Sequence, residues 1–466
     1  MESKGIISTK DIQIKDVNKR IFSMILPITI ESVLQMVAGI VSMGMVGRID
    51  VIAVNALGIS MRITQIIWAL FKGITTGAAV FVAQYFGAHE HKKMVKVISQ
   101  TLLSAVLLVL IFGVIVYSQA TRLLTIFNPE PELLNSAVIY LRTVAFGLPF
   151  LTIMLVVGGV FQGMGNAKTP MLITTLMNCV NIVVGYVLIF GKLGFSPMGI
   201  KGAAIATVIS QMIAAFTGLC ILFSKNGVLH SYLNKKFFKL DFVQIKEVYR
   251  VGLPSSMESI FWQLAAIILT RSILTYGETA FAAHQLGMQA ESISWMPAIG
   301  FGVSATTFVG QALGADDKAL ARIYLRQILK GAMMITIISV VALIVFPRQL
   351  MSLLTNNTDV IKLGAIYLLL MGTMQFPQNA SGVLSGAMRG AGHTKVPMIV
   401  AGAGLWGIRV PFTLLVTYFF KFSIVAIWVV MCADLAFRFV VCYVLFKRKN
   451  IYENNLLNIS ASTAKV

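Results

Sequence analysis

Long, nearly uncharged apolar stretches recur along the whole chain, and they limit the folds that it can adopt. A helix that crosses about 30 Å of hydrocarbon needs roughly 20 mostly apolar residues, and twelve windows meet this requirement. The windows are approximately residues 21–46, 53–84, 97–119, 134–162, 169–191, 202–224, 249–275, 279–312, 325–347, 361–388, 396–420 and 422–446. Only 12% of all residues are charged, whereas about 25% is usual in soluble domains. We therefore predict an all-α membrane protein with twelve transmembrane helices.

The cations between the windows predict the orientation of the chain. Loops on the side that holds both termini contain 25 Lys and Arg residues, Arg389 among them, against 7 on the other side. Because cytoplasmic loops carry the excess of Lys and Arg, we expect both termini in the cytoplasm and the protein in the plasma membrane. The formal net charge of +20 also suits a nucleic-acid partner. The cations lie in the gaps between apolar runs, however, so we predict a lipid bilayer as partner, no nucleic acid, and a monomer.

The chain repeats itself at an offset of 227 residues. LPITIES at 26–32 matches LPSSMES at 253–259, and FQGMGNAKTPM at 161–171 matches MRGAGHTKVPM at 388–398. Because this offset contains six windows, the two halves have the same orientation, which predicts two six-helix bundles related by a pseudo-two-fold axis along the membrane normal. A cavity between bundles that rock against each other favours a transporter. A static channel or scaffold is the alternative.

These features predict five segments in the chain. They are a cytoplasmic N-terminal segment at 1–20, an N-lobe at 21–224, a cytoplasmic linker at 225–248, a C-lobe at 249–447 and a cytoplasmic tail at 448–466.

Motifs of soluble enzymes are absent from the sequence. It has no HExxH, GxxxxGK[ST], EF-hand loop or GxSxG, and its four cysteines lie inside apolar runs without CxxC spacing. Hydrolases, ATPases and metalloproteases need these parts. We therefore predict a protein that is not an enzyme, without catalytic residues, a metal site or a cofactor.

Two acidic residues at equivalent positions of the repeat are the leading candidates for an ion site. Glu31 and Glu258 each follow a proline, Pro27 and Pro254, by four residues. A charge near the centre of a membrane helix costs about 2.5 to 3.5 kcal/mol, and a proline bends the helix and frees a carbonyl. A poorly hydrated, lone carboxyl group there can exchange protons or hold a cation. The alternative is a carboxyl group that only hydrogen-bonds a neighbouring helix.

Other charged residues lie in the windows of the second half. Glu291 in the eighth window could supply a second acid near Glu258, which would separate the titrations of the two groups. Asp434 and Arg438 are spaced i, i+4 in the last window, and Arg409 lies in the window before. We expect these three residues to neutralise one another.

Neutral polar residues and three cations complete the set inside the windows. The neutral candidates for contacts with a substrate are Asn178, Asn181, Gln375, Gln378 and Asn379. Three cations without a partner evident in the sequence are expected to extend toward the membrane surface, and they are Arg62, Lys72 and Arg142.

Several motifs together resemble bacterial members of the multidrug and toxic compound extrusion (MATE) family. They are the two LPxxxE openings, MVGRI at 45–49, FVAQYFGA at 81–88, QGMGNAKTPM at 162–171, AAHQLGMQAESISWMPAIGFG at 282–302, FVGQALGA at 308–315 and RGAGHTKVPM at 389–398. The resemblance covers residues 20–448. It implies a two-lobed antiporter that exports organic, often cationic compounds in exchange for protons or sodium ions. It also implies that the acid matching Glu258 takes part in coupling.

The sequence departs from the family pattern in its first half. Ser42 and Gly185 stand where many members have acidic or amide residues, and the acid that some branches have in the tenth helix appears as Gln378 or Asn379. Coupling then depends on Glu258, with Glu291 as a second candidate and Glu31 as a substitute in the first lobe.

Two other functions remain open at this point. A flippase for a lipid-linked or amphipathic substrate would need a strongly cationic cavity, to which Arg62, Arg142 and Arg409 would have to contribute. A passive channel would conduct without any counter-ion.

Overall fold

The computed structural model describes residues 14–225, 227–230 and 239–453, apart from the side chain of Val51. Parts of three predicted segments lie outside the described residues. They are 1–13 of the N-terminal segment, 226 and 231–238 of the linker, and 454–466 of the tail.

The described chain is almost entirely helical, which confirms the predicted all-α class. Its α-helices are α1 (Ile14–Gly47), α2 (Val51–Gly87), α3 (His91–Thr125), α4 (Pro131–Ala145), α5 (Leu148–Gly163), α6 (Lys168–Phe190), α7 (Gly199–Phe223), α8 (Phe242–Leu274), α9 (Glu278–Gly314), α10 (Lys318–Val345), α11 (Pro347–Ser352), α12 (Thr358–Gly390), α13 (Lys395–Gly404), α14 (Val410–Leu414) and α15 (Ile424–Arg448). Within the residues described, eleven continuous helical stretches are long and apolar enough to cross a membrane. A bent pair, α4 and α5, provides the twelfth span.

The window at 134–162 differs from a straight helix. It divides into α4 and α5, which meet at an angle of 52°. Pro149 lies in the first turn of α5, where its missing N–H group has no helical partner to lose. Gly147 lies at the bend, and a Cβ atom there would collide with the side chain of Gln211. A proline and a small residue therefore divide one hydrophobic window into two short helices.

The eleventh span contains two wider turns. Leu405–Arg409 and Leu415–Phe419 are π-helical, on either side of α14. A π-turn adds a residue to the helical turn and is frequent at functional sites. Arg409 is the last residue of the first π segment, so this turn sets the direction of its side chain.

The chain divides into two compact units. Among the described residues, the first unit comprises 30–82 and 90–256, and the second comprises 14–29, 83–89 and 257–453. In the first unit, Lys96 and Asp241 join the start of α3 to the start of α8. The second unit contains an apolar core built mainly from α9, α12 and α15, with Tyr367 and Trp428 fully buried in it.

The repeated motif FVxQxxGA has a packing function in the second unit. A Cβ atom on Gly87 would collide with the backbone of Gln311, and one on Gly314 would collide with the backbone of Gln84. These four residues are repeat equivalents in pairs, so each glycine receives the glutamine of the other copy. Only glycine allows backbones to approach this closely.

Candidate functional site

Glu258 forms an ion pair with Arg389 inside the second unit. The acid lies on α8, one turn after Pro254, and the arginine lies in the last turn of α12. The Nη2 atom of Arg389 lies 2.7 Å from each carboxylate oxygen of Glu258. The Glu258 side chain keeps 17% of its surface exposed and Arg389 keeps 22%. The negative charge of Glu258 is therefore compensated by a guanidinium group.

This pair corrects two expectations from the sequence. Arg389 was expected in a cytoplasmic loop and Glu258 as a lone carboxyl group. The helix α12 continues to Gly390, beyond the predicted end at 388, and carries Arg389 to the acid. The sequence contained one signal of this pair. An unpaired charge in a membrane is costly, so Glu258 requires a counter-charge. Nothing in the spacing indicated which cation supplies it.

A second ion cluster is almost completely buried. The Oδ2 atom of Asp434 lies 2.7 Å from Nε of Arg409 and 2.8 Å from Nη2 of Arg438. Asp434 has no exposed surface, and both arginines are nearly buried. The structure thus brings together the three residues expected to neutralise one another.

Trp262 and Gly404 shape this cluster. The guanidinium carbons of Arg409 and Arg438 lie 5.1 and 4.6 Å from the centre of the Trp262 ring, where the ring face attracts cations. A Cβ atom on Gly404 would collide with Asp434 and with the Arg438 side chain. A glycine is therefore required for the charged side chains to fit beside α13.

Glu291 lies in the apolar core with two hydrogen-bond donors. The Tyr367 hydroxyl donates to Oε2 over 2.7 Å, and the Gln375 amide donates to Oε1 over 2.9 Å. The Tyr367 ring contacts the rings of His284 and Trp428 edge to face. Gln375, predicted as a neutral contact for a substrate, is thus fully buried and engaged by the acid.

Six charged residues of the second unit form a row of alternating sign, linked by ion pairs and by longer-range electrostatic interactions. Arg409 interacts electrostatically with Glu291 as well as with Asp434. Arg438 interacts with Glu258 as well as with Asp434. The order along the row is Glu291, Arg409, Asp434, Arg438, Glu258 and Arg389. Glu291 and Glu258 have no hydrogen-bond partner in common among the described residues.

Glu31 has different partners in the first unit. The Thr174 hydroxyl on α6 donates to its Oε1 over 3.0 Å, and Lys72 on α2 interacts with it electrostatically. The sequence alone showed no partner for Lys72, and the structure places Glu31 within electrostatic reach of it. The residue equivalent to Lys72 in the other repeat is Ile299, and the equivalent of Arg389 is Gln162. The two acids are therefore repeat equivalents with unrelated counter-charges.

Asn181 is the centre of a neutral polar cluster. The Ser42 hydroxyl donates to its Oδ1 over 3.0 Å, and its Nδ2 lies 3.4 Å from the hydroxyls of Thr207 and Ser210. Asn178 lies one turn earlier on α6, and its Nδ2 has no hydrogen-bond partner among the described residues. The position of Ser42 thus contributes a neutral hydroxyl to this cluster.

Gln378 and Asn379 differ in their surroundings on α12. Asn379 is buried and donates from Nδ2 to the hydroxyls of Ser294 on α9 and Thr336 on α10, so it connects three helices. The Oε1 atom of Gln378 accepts no hydrogen bond from any residue that the structure describes. The Oδ1 atom of Asn379 likewise accepts no hydrogen bond from a described residue, so each of the two amides keeps one buried oxygen without a donor.

Three comparisons relate this chain to known proteins. The model of the MatE family matches residues 27–187 and 254–415. The two matched segments begin 227 residues apart, which is the offset of the internal repeat and confirms it.

Curated relatives match over nearly the whole chain. A probable multidrug resistance protein NorM from Thermotoga maritima is 29% identical over 430 residues, which cover 91% of each chain. A probable multidrug resistance protein YoeA from Bacillus subtilis is 26% identical over 440 residues, 92% of this chain and 94% of the relative. The fold is similar to that of a MOP superfamily transporter from Pyrococcus furiosus, with a TM-score of 0.84 at 21% identity, over 96% of this chain and 99% of that one.

Proposed function

Because this chain belongs to the MatE family of multidrug efflux transporters, we propose that it is a secondary antiporter that exports organic, often cationic and amphipathic compounds in exchange for protons or sodium ions. Two of its relatives carry the name of probable multidrug resistance proteins. In this proposal the protein acts as a monomer in the plasma membrane, with both termini in the cytoplasm. It needs no cofactor besides the coupling ion.

The observation that carries the coupling proposal is the ion pair between Glu258 and Arg389. The pair is held by two charge-assisted hydrogen bonds of 2.7 Å, yet neither side chain is completely buried. We infer that a small ion reaches the acid through this exposed surface, and Arg438 interacts with the same acid as a second group that compensates its charge. These are the properties that a reversible ion site requires.

The mechanism follows from the charge at Glu258. When the acid is ionised and free of a bound ion, it neutralises Arg389, so a cationic substrate nearby meets no net positive charge. When a proton or sodium ion binds, the negative charge of the acid is cancelled, and Arg389 loses its partner and repels a cation. Ion and drug thus exclude each other, and the exclusion is reciprocal because it is a coupling free energy between two bound states.

The row of alternating charges extends this effect within the second unit. A change of charge at Glu258 alters the balance at Arg438, which shares Asp434 with Arg409. Charges in a poorly hydrated environment interact more strongly than in water. We infer that Glu291, at the far end of the row, adjusts the ion affinity of Glu258 through these arginines rather than by direct contact.

The arginines weigh against a flippase. Arg142 donates from Nε to the Tyr117 carbonyl and lies 5.6 Å from the centre of the Tyr117 ring. Arg409 is bound to Asp434. Two of the three arginines that would have to bind a pyrophosphate are thus engaged elsewhere, which supports the antiporter.

Uptake of a fluorescent organic cation into proteoliposomes tests the proposal. Gradients of protons and of sodium ions are imposed in turn, with the ion concentration higher on the side toward which the dye moves. We expect dye to accumulate against its own gradient with one of the two ions. Equal, purely downhill flux under all conditions would indicate a channel and contradict the proposal. The matched control is protein-free vesicles of the same lipid.

A further inference from the structure

The surface of α10 carries a groove that no part of the transport cycle uses. The groove has a volume of about 550 Å³ and is open along one side. Arg322, Arg326 and Lys330 line one part of it, and Met333 and Ile337 line another. The spacings between these residues are four, four, three and four, so all five lie along one face of the helix.

The charge of this face changes sharply along the helix. All three cations are exposed, and in the described part of the chain none of them belongs to an ion pair. The remaining lining toward the C-terminal end of the groove is apolar. From Arg322 to Ile337 the helix rises about 22 Å, at roughly 1.5 Å per residue. Of this length only about 6 Å, from Met333 to Ile337, is the apolar track, at roughly 1.5 Å per residue, so the face combines a cationic end with an apolar track that covers the first part of an acyl chain.

Tyr452 closes the cationic end of the groove. Its ring lies 5.0 Å below the guanidinium carbon of Arg322. Burial raises the pKa of the Tyr452 hydroxyl above its usual value, so the group stays neutral and can donate a hydrogen bond. Three cations and a hydroxyl donor match a phosphate group bearing a net negative charge.

We propose that this groove binds an anionic phospholipid, with its phosphate between Arg322, Arg326 and Lys330 and one acyl chain along Met333 and Ile337. The cationic end lies on the side of the membrane that the distribution of Lys and Arg assigns to the cytoplasm, where clusters of basic residues bind anionic lipids. A zwitterionic phospholipid lacks the net charge that the three cations favour. A free phosphate ion lacks the chain that the apolar track would cover.

Native mass spectrometry of the purified full chain tests this site with phosphatidylglycerol, phosphatidylcholine and inorganic phosphate as probes. We expect phosphatidylglycerol to bind, and we expect neither phosphatidylcholine nor inorganic phosphate to displace it. The triple variant Arg322→Gln, Arg326→Gln, Lys330→Gln should weaken its binding about 5-fold for each charge removed, or roughly 100-fold in total. The matched control removes three exposed cations elsewhere on the same predicted side, by Lys92→Gln, Lys246→Gln and Arg250→Gln, and should leave binding unchanged.

A second variant tests the apolar part without changing any charge. Met333→Trp fills the track, and Ile338→Trp places the same ring on an exposed position of α10 outside the groove. We expect only Met333→Trp to weaken phosphatidylglycerol binding. The proposal is contradicted if the charge-removed triple variant binds as the wild type does, or if both phospholipids bind equally. Inorganic phosphate that displaces the lipid, together with no effect of Met333→Trp, would mean a simple anion site and also overturn it.

Discussion

A single nitrogen of Arg389 donates to both carboxylate oxygens of Glu258, at 2.7 Å each. This relationship links the end of α12 to the middle of α8, immediately after the turn that contains Pro254. Pro254 and the ion pair thus lie within about one helical turn of each other. A change in the occupancy of Glu258 therefore acts at a point where α8 already lacks a backbone hydrogen bond.

The contribution of this pair to stability can be measured by a double-mutant cycle. Either Glu258→Gln or Arg389→Gln should lower the free energy of unfolding by about 1–3 kcal/mol, because each leaves a partly buried group without its partner. The double variant should cost less than the sum of the two, since two amides can bond each other. Thermal unfolding of the purified protein in detergent reports these values. Strict additivity would mean that the two residues do not interact.

An exposed pair provides the control for this cycle. Lys93 and Glu90 lie 3.1 Å apart with 58% and 45% of their side-chain surfaces exposed. Lys93→Gln should change the free energy of unfolding by about 0–1 kcal/mol, as is usual for surface ion pairs.

Asp434→Asn should be among the most damaging single substitutions in the chain. It removes the carboxylate shared by Arg409 and Arg438 and leaves two nearly buried guanidinium groups without compensation. Breaking a buried ion pair by removing one partner costs about 3–5 kcal/mol. We expect low yield of folded protein and a large fall in its unfolding temperature. The matched variant is Asp359→Asn, whose pair with Lys362 is largely exposed. Equal stability of the two variants would contradict this view of the cluster.

The start of α8 should give the protein a local dependence on acid. The Lys96 side chain, 2.6 Å from Asp241, and the backbone N–H groups of Gln244 and Val243 hold the pKa of Asp241 below its usual value. A lowered pKa in the folded state stabilises the protein at pH values above the unfolded pKa of about 3.9, and this stabilisation disappears as the pH falls through the folded pKa.

The variant Asp241→Asn tests this dependence. It should unfold at a lower temperature than the wild type at pH 7, and the difference should vanish as the pH is lowered below 4. The effect is small, about 1 kcal/mol or less, because the pair is partly exposed. A difference that persists unchanged in acid would mean that Asp241 acts without its charge.

Much of the fold was predictable because hydrophobic length and repetition are properties of the sequence itself. The twelve windows correspond to eleven helical stretches and one bent pair, and the offset of 227 residues reappears in the family match. The bend between α4 and α5 was harder to predict. Glycine and proline, which cause it at positions 147 and 149, also occur inside continuous spans such as α8 and α9. The end of α12 was placed only two residues short, but that difference moved Arg389 from a loop to the ion site.

The site was predictable in its acids, whereas among their partners only those of Asp434, Arg409 and Arg438, were predicted. A charge inside an apolar window is conspicuous, so Glu31, Glu258, Glu291 and Asp434 stood out. Their partners Lys72, Arg389 and Tyr367 lie far away in sequence, and neither periodicity nor the repeat pairs them. Repeat symmetry was misleading here, because equivalent acids have counter-charges from non-equivalent positions. The roles of these residues in transport stay predictions.

The most direct test of the central claim is the equilibrium affinity of a fluorescent organic cation for the purified protein, measured with and without the coupling ion. In the wild type we expect the ion to weaken binding of the dye, and the dye to weaken binding of the ion by the same factor. In Glu258→Gln the dye should still bind, but its affinity should no longer depend on the ion, whereas Glu31→Gln should keep most of the dependence. An unchanged ion dependence in Glu258→Gln would contradict the assignment of coupling to the pair of Glu258 and Arg389.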